Sequence, residues 1–256
     1  MISSELHKQP IALDRHQHRA LKLRDDMNPL RAAAGLNAMF LTAAEFGDAC
    51  KEYPILFLRA GTNAAGKEQV APVAVMGLLK GENLFMDSVA GQEPTWDGQY
   101  VPALLRAYPF TLGQLQAGQW AVCIDQGWAG WSQTEGRPLF NDAGEPTPYM
   151  DEMRGFVERL EAEVERTRVV GERLMELKLL QDKRFDATLP DGSPLSVDGF
   201  LAADENRINE LSDAEILELH RSGALGVLVT HQVSLGNMRS LLTKRLARLA
   251  ATGASA

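Results

Sequence analysis

The chain has 256 residues, 45% hydrophobic and 23% charged, with 26 Lys and Arg against 34 Asp and Glu, a formal net charge of -8. That length holds one large domain or two small ones with a sizeable core, and the composition excludes wholesale disorder, collagen and a long coiled coil. The negative balance argues against a general nucleic-acid binder, and no stretch reaches the roughly 18 to 20 apolar residues that a membrane-spanning helix needs.

Residues 1–27 read as a polar amino-terminal segment. Charges run through it, without the basic start and apolar run of a secretory signal. The expected compartment is the cytoplasm, with association at the cell surface left open. Cys50 and Cys123 lack CxxC spacing and read as free, buried thiols. Thr42-Ala43-Ala44-Glu45 has the form of a capping box and predicts a short helix to about Glu52. Tyr53–Leu58 is a compact run of strand formers, Gly61–Lys67 a turn, Val73–Leu79 the next strand, and Lys80–Asn83 a tight turn into Leu84-Phe85-Met86. Together they predict an antiparallel meander. Trp120–Asp125 is a further strand.

The back half changes period. Apolar residues from Met153 to Leu177 recur mainly at three- and four-residue steps behind Thr147-Pro148, which predicts one amphipathic helix over 148–180. Gly199–Ala202 is a short strand candidate. Ser212-Asp213-Ala214-Glu215 opens another helix that should stop near Gly223, and Leu228–Leu249 fit a last one whose Val227-Leu228-Val229 start suits helix or strand alike. The expected fold is α+β, sheet-rich over 28–146 and helical over 147–250 within a single domain 28–250, with a fraying tail at 251–256. The stretch 151–218 carries essentially the whole negative charge, whereas after Glu218 only Arg221, Arg239, Lys244, Arg245 and Arg248 are charged. Two solvated helix faces account for this, as would attraction between the two stretches.

Chemistry is sparse. His16 and His18 share a spacing that suits one side of a strand, but a zinc site needs three or four ligands, and His7, His220 and His231 show no ligand spacing. No metal and no cofactor are expected. There is no GxSxG, HExxH, GxxxxGK[ST] or dinucleotide fingerprint, which weakens an enzyme reading without closing it. The segment 81–110 is the most unusual stretch. Its Asn83, Trp96, Tyr100, Arg106 and Tyr108 interleave polar and aromatic groups with core residues. They suit a pocket for an anionic or planar ligand, with Arg106 as the anion grip. The competing structural account has Asn83 capping a turn, Arg106 meeting a carboxylate such as Asp87, and the aromatics in the core. Trp128 and Trp131 suit a rigid contact surface or an ordinary aromatic turn.

One ordered set of pieces carries a resemblance. Tyr53-Pro54-Ile55-Leu56-Phe57 leads, then Gly77-Leu78 with Glu82-Asn83-Leu84-Phe85, then Tyr100-Val101-Pro102-Ala103, Leu105-Arg106 and Tyr108-Pro109-Phe110. Pro138-Leu139-Phe140, Asp191-Gly192, Gly199-Phe200, Asp204-Glu205 and Ser234-Leu235-Gly236-Asn237 follow in order. Over residues 28–242 the chain resembles the bacterial SapC-like family, which is distinct from the peptide-transporter permease that shares the name. The link Ala90–Thr95 is longer than the family's usual one. The resemblance implies association with a bacterial surface layer. It also implies protein or peptide partners among products of neighbouring receptor, halogenase-like or oxygenase-like genes. It brings no catalytic residue. The expected function is that of a non-enzymatic binding or accessory protein in an envelope-linked or peptide-handling system. The alternatives are an enzyme, or obligate enzyme subunit, that modifies a peptide or small molecule, and a structural surface-layer component. A homo-oligomer is compatible with each.

Overall fold

A computed structural model describes residues 2–87, 94–116, 118–189 and 192–252. Its strands in chain order are β1 Pro10–Ala12, β2 Lys22–Leu23, β3 Ala38–Phe40, β4 Ile55–Thr62, β5 Glu68–Val75, β6 Met86–Asp87, β7 Thr95–Trp96, β8 Phe110–Gln116, β9 Gln119–Asp125, β10 Trp131–Ser132, β11 Arg137–Pro138, β12 Leu180–Thr188 and β13 Pro194–Ala203. The helices are α1 Phe46–Ala49, α2 Ala103–Ala107, α3 Pro148–Glu176, α4 Glu205–Asn209, α5 Asp213–Ser222, α6 Ala224–Ser234 and α7 Asn237–Thr252. The fold is α+β: antiparallel sheets occupy the first two hundred residues, and the long helices α3, α6 and α7 lie toward the carboxyl end.

The chain divides into two compact units. One comprises Met1–Ala34, Met86–Trp96 and Ala103–Val164, the other Gly35–Phe85, Asp97–Pro102 and Glu165–Ala256. In the first, β8 and β9 form a hairpin with β1 added beside β9. Phe110 and Ile124 face each other across this hairpin and are both buried. Trp131 packs edge-on against Phe110 and Trp128 at 5.8 and 5.1 Å between ring centres, so the two indoles belong to this unit's aromatic cluster. A small sheet, β10-β2-β11, stands apart from that hairpin.

The second unit is built on a five-stranded sheet in the order β12-β13-β4-β5-β3. Ile55, Leu56, Phe57, Val73, Ala74 and Val75 are buried, so β4 and β5 read as nearly continuous apolar runs. Gly171 of α3 packs on Val70 of β5: a Cβ there would stand 3.1 Å from the Val70 side chain and carbonyl.

The join between β13 and β4 is unusual. Leu201 pairs with Phe57, and regular antiparallel pairing would next set Ala203 opposite Ile55. Instead, the imidazole of His231 from α6 fills that place. The Ala203 N–H donates to His231 Nε2 at 3.0 Å, and His231 Nδ1 lies 2.7 Å from the Ile55 carbonyl. The Ile55 N–H donates to Ser234 Oγ at 3.0 Å, one turn further along α6. Two side chains thus replace a ladder step.

The sequence anticipated the outline and missed some parts. α3 begins at Pro148 but ends at Glu176, and Leu180 starts a strand instead of a last helical turn. The expected short strand at Gly199–Ala202 is the end of the ten-residue β13. The final helix is two, α6 and α7, broken at Leu235-Gly236. α7 continues to Thr252, inside the expected tail. Asp191 and most of the long link Ala90–Thr95 fall outside the described residues. The capping box at Ser212 forms, with the Glu215 carboxylate taking the Ser212 N–H at 2.8 Å, and α5 stops at Gly223. At Thr42 the Glu45 carboxylate accepts from both the N–H and the hydroxyl, at 2.8 and 2.9 Å.

Candidate functional site

The five residues singled out in 81–110 fall in both units. Asn83 and Tyr100 belong to the second, Trp96, Arg106 and Tyr108 to the first. Asn83 is buried and closes its own turn, its Oδ1 accepting from the Phe85 N–H at 2.9 Å. Its carbonyl accepts from Arg248 of α7 at 2.7 Å. Tyr100 is half-buried. Its hydroxyl donates to Glu45 at 2.9 Å, its N–H donates to Glu52 at 2.8 Å, and its carbonyl receives the Tyr53 hydroxyl. These bonds pin the segment to the residues that flank α1, Glu45 before it and Glu52 and Tyr53 after it.

Glu82 grips the same loop from the other side. One carboxylate oxygen accepts from the Leu78 and Leu79 N–H groups, and the other pairs with Arg245 of α7. The backbones approach so closely that a Cβ on Gly77 would stand 2.1 Å from the Glu82 carbonyl. We expect Gly77→Ala to cost about 1 to 3 kcal/mol in a urea unfolding curve, the range for forced overpacking. Gly35→Ala, with nothing within 4 Å of its Cβ, should be close to neutral. Equal stability of the two variants would contradict the close approach. The basic carboxyl end is therefore committed in part to this loop: Lys244, Arg245 and Arg248 reach Asp97, Glu82 and Asn83, all outside the acidic stretch 151–218.

In the first unit Trp96 is half-buried opposite Met86 in the β6–β7 hairpin. Arg106 is exposed at the end of α2, its guanidinium 5.4 Å above the Phe156 ring. Both β7 and α2 pack on the 3-10 turn Pro29–Ala33. Tyr108 is buried, and its hydroxyl donates to Asp125 at 2.9 Å. Burial first, and then Asp125, raise the Tyr108 pKa.

Asp125 itself is fully buried. It accepts from the N–H groups of Gln9 at 2.7 Å, Lys8 at 3.1 Å and Gly127 at 3.3 Å besides Tyr108. Burial pulls its pKa upward, but these donors outweigh it and leave the carboxyl below its ordinary range. Beside it His7 is 2% exposed and accepts the Ser3 N–H at Nδ1, while Nε2 has no hydrogen-bond partner. Burial lowers the His7 pKa, against the pull of Asp125. In the second unit burial pushes His231 down to about 4, so the neutral ring both donates and accepts.

Sequence reasoning did not reach a cleft of about 680 Å³ in the second unit. Leu56, Phe185, Phe200 and Met238 supply apolar walls, and Lys183, Arg184, Arg239, Asp204 and Glu205 supply charge. Asp204 is occupied in capping α4, accepting from the Asn206 and Arg207 N–H groups. Arg184 is paired with Asp186 at 2.8 Å. The segment Leu180–Thr188 gave no sequence signal for this wall, because Phe185 is its only large apolar residue past Leu180. Among the described residues, no group of three His, Cys, Asp or Glu side chains is arranged to hold a metal, and no helix is long and apolar enough to cross a membrane.

Many pieces of the resemblance prove to be joints of this framework: Tyr53, Asn83, Tyr100, Tyr108, Asp204 and Ser234. Asn237 is another, its side chain donating to the carbonyls of Cys50 at 2.8 Å and Tyr53 at 3.1 Å. Comparison with known proteins agrees. No curated protein and no solved structure matches the chain. A family model described as SapC matches residues 13–241, starting fifteen residues before the stretch on which the resemblance was read. The chain belongs to the SapC family.

Proposed function

We propose that the protein binds a protein or peptide partner as an accessory component of an envelope-linked or peptide-handling system, without catalytic chemistry of its own. One observation supports this reading above others: three reactive side chains of the interior, His231, Ser234 and Asp125, are spent on holding the fold. His231 and Ser234 serve β4 and β13, and Asp125 serves the amino-terminal stretch and Tyr108. A group saturated in this way holds the chain instead of moving a proton for a substrate.

The contact surface we assign is that of Trp96 and Arg106, the two residues of the 81–110 set that reach solvent beside one turn in the first unit, while the buried Tyr108 serves Asp125. Asn83 and Tyr100 hold their own loop. The products of neighbouring receptor, halogenase-like and oxygenase-like genes are the partners to test by co-purification. Arg106→Ala should change stability by only about 0.5 kcal/mol, as for an exposed side chain, while partner recovery collapses. A stable variant that keeps every partner would remove Arg106 from the site, and turnover of a small molecule by the purified protein would sink the non-enzymatic reading.

We further propose that 28–250 unfolds as one SapC domain. The chain passes between its two units five times, whereas separable domains are joined by few crossings.

A further inference from the structure

Three features meet at the outer wall of the cleft in the second unit. The first is an open edge. β12 ends the five-stranded sheet, with β13 on one side and, among the described residues, no strand on the other. The Asp204 N–H bonds to the Leu179 carbonyl, which sets the alternation of the ladder. Gln181 and Lys183 then turn their N–H and C=O groups toward β13, and Leu180 and Asp182 turn theirs outward. Among the described residues those outward groups have no partner.

The second feature is a bulge. Lys183 pairs with Phe200 and Phe185 with Val197, so Asp198 and Gly199 together face the single residue Arg184. Gly199 has φ +78°, a conformation that suits glycine at the extra position of a bulge. A regular strand would send alternate side chains to opposite faces. The extra residue lies in β13, and beside it Lys183, Arg184 and Phe185 of β12 border the cleft.

The third feature is charge. Arg184 is satisfied by Asp186, and Asp204 by its capping bonds. Lys183 on β12 and Arg239 on α7 form no ion pair among the described residues, and they face an apolar wall of Phe185, Phe200 and Met238. Among the described residues Glu205 is the one lining carboxylate left without a bond, so cations prevail.

We propose that this cleft binds an extended acidic peptide, which adds as a strand to the open edge of β12. The peptide backbone would bond to Leu180 and Asp182, one row of its side chains would enter the apolar wall, and a carboxylate would meet Lys183 and Arg239. The volume suits a few peptide side chains. β12 itself is charged at Asp182, Lys183, Arg184 and Asp186, a composition that discourages edge-to-edge pairing of two copies. The inference rests on the binding-protein reading, and the two fail separately: turnover of a small molecule sinks that reading, whereas loss of peptide selectivity without turnover sinks only this one.

The test screens the full chain against a random library of peptides of strand length, about six to eight residues. Selected sequences should alternate apolar residues and carry an Asp, Glu or free terminal carboxylate. The best binder, resynthesised, should lose about tenfold or more in affinity against Lys183→Glu and against Arg239→Glu. Both are exposed positions, and unchanged melting of the variants is the control. N-methylation of alternate peptide amides should abolish binding in one register and spare it in the other. Amide exchange at Leu180 and Asp182 should slow in the complex. Selection without acidic residues, indifference to both charge reversals, or equal binding by both N-methylated forms would overturn the proposal. So would concentration-dependent pairing of the protein through β12.

Discussion

Asp125→Ala is expected to cost about 3 to 5 kcal/mol of folding stability, the range for breaking a buried charged network by removing one member. The carboxylate is fully buried and receives Lys8, Gln9 and Gly127 N–H groups and the Tyr108 hydroxyl. Alanine would strand those donors away from water, each at about 1 to 3 kcal/mol before relaxation. Asp125→Asn should fall between, because one oxygen still accepts while the amide meets donors with a donor. Urea midpoints of the three proteins measure this. A loss below about 1 kcal/mol for the alanine variant would show that the amino-terminal stretch does not depend on Asp125.

His231 makes a second large effect, with a pH signature. Its folded pKa is about 4 against 6.5 for the free side chain. Between those values the unfolded chain holds more protons, so stability rises with pH. The contribution is complete above about pH 6.5, and about 3 kcal/mol of it is gone by about pH 4. The lowered His7 adds in the same direction. His231→Phe keeps a ring but leaves the Ala203 N–H and Ile55 carbonyl unbonded. It should cost about 2 to 4 kcal/mol near neutral pH and flatten most of the acid slope. A wild-type protein equally stable at both ends of that window, or a variant with the wild-type slope, would refute the buried neutral imidazole. Asp125 and His231 lie in different units. If the domain unfolds as one, each variant shifts a single transition; two transitions, each moved by one variant, would refute that.

What the sequence made legible was whatever depends on local rules. Both Ser/Thr-x-x-Glu capping boxes, Pro148 at the head of α3, Gly223 after α5 and the apolar run in β4 were visible, because caps and periodicity act within a few residues. β12 was not, since Gln181–Thr188 is held by its pairing with β13 and not by its own apolar pattern. His231 looked like an ordinary helical histidine; its role comes from Ile55 and Ala203, which only the fold brings near. The 81–110 segment is dense in polar and aromatic groups. Much of that density holds loops in place, as Asn83, Tyr100 and Tyr108 show. The cleft residues Lys183 and Arg239 stood apart in sequence, with nothing to link them.

The join at Leu201 and Phe57 also constrains how the protein is made. More than half the chain separates those two residues, and His231 and Ser234 come later still. At about 5 to 20 residues per second of synthesis, β4 waits about ten seconds or longer for β13 and α6 to emerge. Through that interval Ile55, Leu56 and Phe57 have β5 on one side and an uncovered edge on the other. The nascent chain therefore carries an adhesive apolar strand until Ser234 has been made, and its yield in the cell should respond to ribosome-bound chaperones and to slowed translation of the codons for β13 through α6.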